Sequence, residues 1–208
     1  MIPGRFITLE GGEGAGKSTQ VRALAAALRA RGLEVVETRE PGGSEGAEAI
    51  RALLLTGGDD RWSPRAEALL FAAARADHGE KTIRPALARG AWVLSDRYLD
   101  SSRAYQGQGD LTDADIVTLH RIGSAGFLPD RTLFLTLPQE EAETRARARD
   151  GDMSDRIGGR DRTFHRAVAD AFARFAVEEP ARFRSVDASG AADAVTARLL
   201  EALADLLP

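Results

Sequence analysis

The sequence predicts an α/β fold: a parallel sheet of about five strands with helices covering both faces. Three observations predict it. Short apolar, β-favouring stretches alternate with longer stretches whose apolar residues recur at helical spacing, the pattern of strands joined by crossover helices. Turns rich in glycine and proline separate them, as at Arg39-Glu40-Pro41-Gly42-Gly43 and Gly57-Gly58-Asp59-Asp60. Between the first strand-like and the first helix-like stretch stands Gly11-Gly12-Glu13-Gly14-Ala15-Gly16-Lys17-Ser18, a glycine-rich connection of the kind that joins strand to helix in such folds.

Taken in order, Arg5 to Leu9 is a strand. Lys17 to about Ala30 is a helix with Val21, Leu24, Ala25 and Leu28 on one face, and Gly32 ends it. Leu33 to Thr38 is the second strand, and Ala47 to Leu55 is helical. Pro64, suited to the first turn of a helix, begins a long helical region whose apolar stripe is expected at Ala66, Leu69, Leu70 and Ala73. Trp92 to Ser95 is an apolar strand that delivers Asp96. Thr112 to Ala125 is a helix with Ile116, Leu119 and Ile122 on one face. Thr132 to Leu137 is the fourth strand, and Pro138 starts a helix that runs into an arginine-rich segment. Phe164 to Glu178 turns Val168, Phe172 and Phe175 inward, Phe183 to Val186 is the last strand, and Ala191 to Leu207 is a closing amphipathic helix. No repeat or linker divides the chain, so one domain over residues 1–208 is expected.

Composition narrows the class of function. The apolar share of 43% and charged share of 29% are those of a soluble globular protein. A net charge of −4 argues against a general nucleic-acid binder. The absence of cysteine excludes disulfides and thiolate metal sites. No long apolar run or signal pattern is present, so neither a nucleic-acid nor a membrane partner is expected, and the expected compartment is the cytoplasm.

The octapeptide fits G-x-x-x-x-G-K-[ST]. Gly11, Gly12, Gly14 and Gly16 let backbone N–H groups close around phosphate oxygens, and the helix that follows adds partial positive charge. Lys17 supplies a full charge, and the Ser18 hydroxyl, followed by Thr19, can ligate Mg²⁺. A glycine-rich turn without function would not need Lys-Ser in register, so the chain is expected to bind a nucleoside triphosphate. In open α/β sheets ligands bind beyond the carboxyl ends of the strands. Asp96 stands there and can hold the magnesium shell, with Arg97 on a phosphate. Arg39 follows the second strand and points to the same crevice. Phe71 and Arg75, four apart on a helix, can stack a base and donate to its carbonyl; without context a core Phe and a solvent Arg would fit the spacing better. Ser102, Tyr105 and Gln106 share a helical face that could read a base edge. Arg145, Arg147, Arg149, Arg156, Arg160 and Arg162 put six arginines in 18 residues, interrupted by glycines, a composition suited to a lid over a transferring phosphoryl group.

In this order the segments resemble bacterial thymidylate kinase. The matching pieces are Glu10 to Thr19, Thr38-Arg39-Glu40-Pro41-Gly42-Gly43, Phe71-Ala72-Ala73-Ala74-Arg75, Asp96-Arg97-Tyr98 with Ser101 to Gly107, Pro129-Asp130, and Arg145 to Arg149 leading to Asp155-Arg156-Ile157. The resemblance implies the P-loop nucleoside monophosphate kinase fold with a short lid at about 145–162, and ATP-dependent phosphorylation of dTMP to dTDP. By the match, Phe71 stacks thymine, Arg75 donates to a thymine carbonyl, and Ser102 and Gln106 meet the base edge. Tyr105 sits near the deoxyribose, Arg39 and Arg97 hold the acceptor phosphate, and Glu13 belongs to both the loop and the substrate site. ATP with Mg²⁺ on Ser18 and Asp96, and a homodimer, are also implied. The loop carries Glu13 and Ala15 and no arginine, so the chain is similar to the form whose catalytic arginine lies in the lid, with Arg147, Arg149 and Arg156 as candidates. It departs from the family pattern at Gly158-Gly159-Arg160 and at Phe172. The alternatives are a guanylate or adenylate kinase, and a nucleotide-dependent switch or ATPase that leaves Arg39, Phe71, Arg75 and Tyr105 without a task.

Overall fold

Five parallel strands form the centre of the molecule, in the order β2-β3-β1-β4-β5. The computed structural model describes residues 3–58, 60–150 and 156–208, except for the side chains of residues 149 and 150. The strands are β1 (Phe6–Glu10), β2 (Val35–Arg39), β3 (Trp92–Asp96), β4 (Arg131–Thr136) and β5 (Phe183–Asp187). The alternation of side chains along a strand sorts the core into layers. Ile7 and Leu9 of β1, Leu94 of β3 and Leu133 and Leu135 of β4 pack on α1 (Lys17–Arg29) and α9 (Ala192–Glu201). On the opposite face, Phe6 and Val93 meet α3 (Pro64–His78), α4 (Arg84–Ala88) and α6 (Asp113–Ser124). Phe134 stacks on Phe172 of α8 (Arg162–Glu178) at 5.3 Å on that same face.

Helix α3 carries the largest difference from the sequence reading. The face it buries is Glu67, Ala68, Phe71, Ala74, Arg75 and His78, whereas Leu69 is 55% exposed and Ala73 is exposed. Spacing alone favours the apolar stripe, but the buried ion pairs described below pull the polar residues inward. For the same reason of tertiary context, Ile122 of α6 is 77% exposed, and the inner face of that helix runs through Ile116, His120 and Ser124. The long helical region does not end at α3. A π-helical turn, Gly79–Ile83, leads into α4, where Pro85 lacks the N–H that a regular helix would use, and the wider turn accommodates it. The closing helix is regular only to Glu201.

Two further helices border the site. They are α2 (Glu45–Leu55), capped by Ser44, and α5 (Leu99–Gln106). α7 (Gln139–Asp150) carries Arg145, Arg147 and Arg149. The residues of α5 that do not line the site are anchored by buried charge. Arg103 pairs with Asp100 at 3.0 Å, Asp113 at 2.7 Å and Glu179 at 2.5 Å, and Arg182 pairs with Asp100 at 2.6 Å. No helix among the described residues is long and apolar enough to cross a membrane.

Candidate active site

The carboxyl ends of β1, β2 and β3 bring the glycine loop, the Arg39–Gly43 turn and Asp96–Tyr98 to one edge of the sheet. Register explains the meeting: Leu9 pairs with Asp96, and Asp96 pairs with Arg39. A cavity of about 910 Å³ opens there.

At one end of the cavity lies the loop. Gly16, at φ 86°, caps α1 in the left-handed region that glycine adopts without strain. A Cβ on Gly12 or Gly16 would meet nothing within 4 Å, so these two glycines face open space. The opposite holds at Gly14, at φ 74°, where a Cβ would lie 2.0 Å from the Ala142 carbonyl oxygen of α7. Lys17 is buried and donates to the carbonyls of Gly11 at 3.1 Å and Gly12 at 2.7 Å. Burial, and then the Arg97 charge beside it, lower its pKa to about 8. Ser18 Oγ donates to Asp96 Oδ2. One hydroxyl and one carboxylate side by side are a hard-oxygen pair of the kind Mg²⁺ takes together with water and phosphate.

Arg97 stands beside this pair with φ 71°, one of two non-glycine residues among those described in the left-handed region. Its guanidinium donates to Ser101 Oγ at 2.9 Å and Gly11 O at 3.2 Å, pairs with Glu13, and lies 5.0 Å from the centre of the Tyr105 ring. Glu10, one residue upstream of the loop, braces the turn. Its carboxylate accepts from Tyr98 N at 2.7 Å and Ser101 Oγ at 2.6 Å. Burial, reinforced by Asp100, raises the Glu10 pKa to about 7.

The other end of the cavity is lined by Phe71 and Arg75 of α3 and by Ser102, Tyr105 and Gln106 of α5. Arg75 donates to Ser102 Oγ at 2.7 Å, and Gln106 donates to Glu67 at 3.1 Å. Arg39, half exposed, lines the same space and is held by both oxygens of Glu48 at 3.0 Å.

The lid candidates separate. Arg147 is 78% exposed on α7 and pairs with Glu143 at 3.4 Å. Arg156 is buried, donating to Leu54 O at 3.0 Å and to Glu67 at 2.5 Å. The side chain of Arg149 lies outside the described residues. Arg145 lines the cavity and reaches the Ala188 carbonyl at 3.1 Å. Sequence reasoning gave no separate role to Glu10, Glu40, Glu67, Asp100 or Arg145. Among the acids only Glu40, next to Arg39, stands beside a motif arginine, and a surface ion pair explains that neighbour equally well.

The chain matches the family model described as thymidylate kinase over residues 9–199. It is 66% identical to the thymidylate kinase of Rhizorhabdus wittichii over 208 residues, covering 100% of both chains. It is 49% identical to that of Caulobacter vibrioides over 210 residues, covering 100% of this chain and 99% of the relative. The crystal structure of thymidylate kinase from Ehrlichia chaffeensis superposes with a TM-score of 0.74 at 31% identity, covering 97% of this chain and 99% of that one. With its five-stranded parallel sheet, its glycine loop and a family match that runs nearly end to end, the chain belongs to the thymidylate kinase family.

Proposed function

We infer that this chain transfers the γ-phosphoryl group of ATP to dTMP, giving dTDP. One observation carries the reading at the level of the site: a single cavity joins the Lys17–Ser18 loop to the Phe71–Arg75 and Ser102–Gln106 faces. A triphosphate site and a site with one aromatic plane and several fixed donors thus open on each other. A switch or simple ATPase has no use for the second.

The acceptor phosphate oxygen attacks the γ-phosphorus in line, and the protein's work is positioning and charge neutralisation. Gly11, Gly12, Glu13, Gly14, Ala15, Gly16, Lys17, Ser18 and Thr19 hold the donor. Phe71 stacks on thymine, Arg75 donates to its 4-carbonyl, and Ser102 and Gln106 border its polar edge. Tyr105 crowds the 2′ position of the sugar, which favours a deoxyribose. Arg39 and Arg97 hold the acceptor phosphate, and Glu13 keeps Arg97 oriented through their ion pair. Ser18 and Asp96 are the residues that would hold Mg²⁺, which when bound offsets charge on the β- and γ-phosphates. Transition-state charge falls to Arg97 and to a lid arginine from the segment 145–162. Arg147 and Arg149 ride on α7, whereas Arg156 serves only by giving up Glu67.

The enzyme acts in the cytoplasm as a homodimer in this reading. A panel of dTMP, dUMP, GMP, AMP and CMP with ATP tests it. dTMP is the preferred acceptor, and preference for a purine would overturn the assignment. Lys17→Ala abolishes most turnover, by about a hundredfold or more, while circular dichroism remains that of the parent. Normal dTDP formation by that folded variant is the opposite result.

A further inference from the structure

The Thr38–Gly43 turn holds a residue whose placement the phosphoryl-transfer chemistry does not use. Glu40 is buried, one residue beyond β2, with its backbone N–H on the Asp96 carbonyl at 2.9 Å. One carboxylate oxygen accepts from Arg75 Nε at 2.8 Å. The other faces His78 Nδ1 at 2.9 Å, and His78 Nε2 lies 2.7 Å from Thr38 Oγ1. An ionised carboxylate only accepts, so Nδ1 carries a hydrogen, and in the neutral ring the Thr38 hydroxyl donates to Nε2. His78 is completely buried. The chain Thr38–His78–Glu40–Arg75 thus runs from β2 through α3 to the wall of the cavity.

The donors of Arg75 can be accounted for one by one. Nε is committed to Glu40, and Nη2 to Tyr98 O at 3.2 Å and Ser102 Oγ at 2.7 Å. Nη1 has no partner among the described residues, and Arg75 lines the cavity. A guanidinium is a planar fork that donates and never accepts. Fixed along its Nε and Nη2 edges, it presents one nitrogen in one direction. A pyrimidine with a 4-carbonyl satisfies that nitrogen, and one with a 4-amino group opposes donor to donor. A fork free to turn loses this discrimination, because it can swing away from the amino group.

We propose that Glu40 and His78 are positioning residues for base discrimination: they hold Arg75 so that its one uncommitted nitrogen selects a 4-carbonyl over a 4-amino group on the acceptor base. The proposal rests on the reading of Arg75 given above. It also explains Gly43 (φ 86°), since a Cβ there would lie 2.4 Å from Thr38 Oγ1 and 2.5 Å from His78 Nε2.

The test measures affinity for dTMP and for 5-methyl-dCMP, which differ at the 4-substituent and the N3 proton, together with KM for ATP. Glu40→Leu lowers the dTMP preference on the order of tenfold, the discrimination of one charge-assisted hydrogen bond, with KM for ATP unchanged. Glu40→Gln, which can keep both hydrogen bonds, retains most of the preference. His78→Leu leaves the Arg75–Glu40 pair in place and lowers the preference about threefold. It decides the matter if Glu40→Leu does not fold. An unchanged preference in Glu40→Leu or His78→Leu, whichever folds, or equal loss of affinity for both nucleotides, overturns the relay. Arg75→Leu separates the two levels: loss of preference there with none in Glu40→Leu rejects the relay alone, and no loss in Arg75→Leu rejects the reading of the base site as well.

Discussion

His120 shows how far a single side chain can depart from its solution behaviour here. It is buried, with Nε2 2.9 Å from Phe127 O and Nδ1 without a partner among the described residues. Burial first, and then the Arg75 charge, lower its pKa to about 4, against an ordinary 6.5. The folded state therefore binds fewer protons than the unfolded state between these values, so stability falls as pH drops from 6.5 toward 4. The expected contribution is on the order of 2 to 3 kcal/mol at the acid end. Urea titrations of the parent and of His120→Gln across that window check it. The stability difference between the two proteins shifts against the parent as pH falls, and a difference independent of pH is the contrary result.

At the scale of elements, Glu67 of α3 is the joint between α5 and the segment beyond α7. Its carboxylate accepts from Gln106 of α5 at 3.1 Å, Arg156 at 2.5 Å and Arg160 at 3.0 Å. These hydrogen bonds and charges hold its pKa below the usual range although burial pushes upward. Glu67→Ala removes the buried carboxylate that Gln106, Arg156 and Arg160 share, and a loss of about 3 kcal/mol is expected in chemical denaturation. Combined with Arg156→Leu the loss is smaller than the sum of the two single losses, because the two side chains share one contact. Joints of this kind mark where the sequence stopped being legible. The strands, α1 and α8 follow from apolar periodicity, and the glycine loop follows from its spacing. The inner face of α3 does not, because Glu67, Arg75 and His78 enter the core with partners from α5, β2, the turn after it and the segment beyond α7 that no local pattern reveals. The same holds for the arginines. Arg75 could be placed in the acceptor site only through family resemblance, and the burial of Arg156 depends on an acid 89 residues away.

Among the described residues, three of the six exposed large apolar side chains lie on two neighbouring helices. α3 and α6 pack against each other, and Gly123 of α6 comes within Cβ reach of Ala72 and Ala76 of α3. These two helices expose Leu69, Val117 and Ile122, residues that cost free energy in water and that a second copy would cover. Light scattering is expected to give twice the 22.3 kDa chain mass. Leu69→Glu combined with Ile122→Glu moves the population toward the monomer, and an unchanged mass would place the interface elsewhere.

The close approach of Gly14 to Ala142 also has a mechanical meaning. The glycine loop meets the first turn of α7 with no room for a side chain between them, so Gly14→Ala would force the two apart. Such a displacement would carry along Arg145 and Arg147, which follow Ala142 on the same helix.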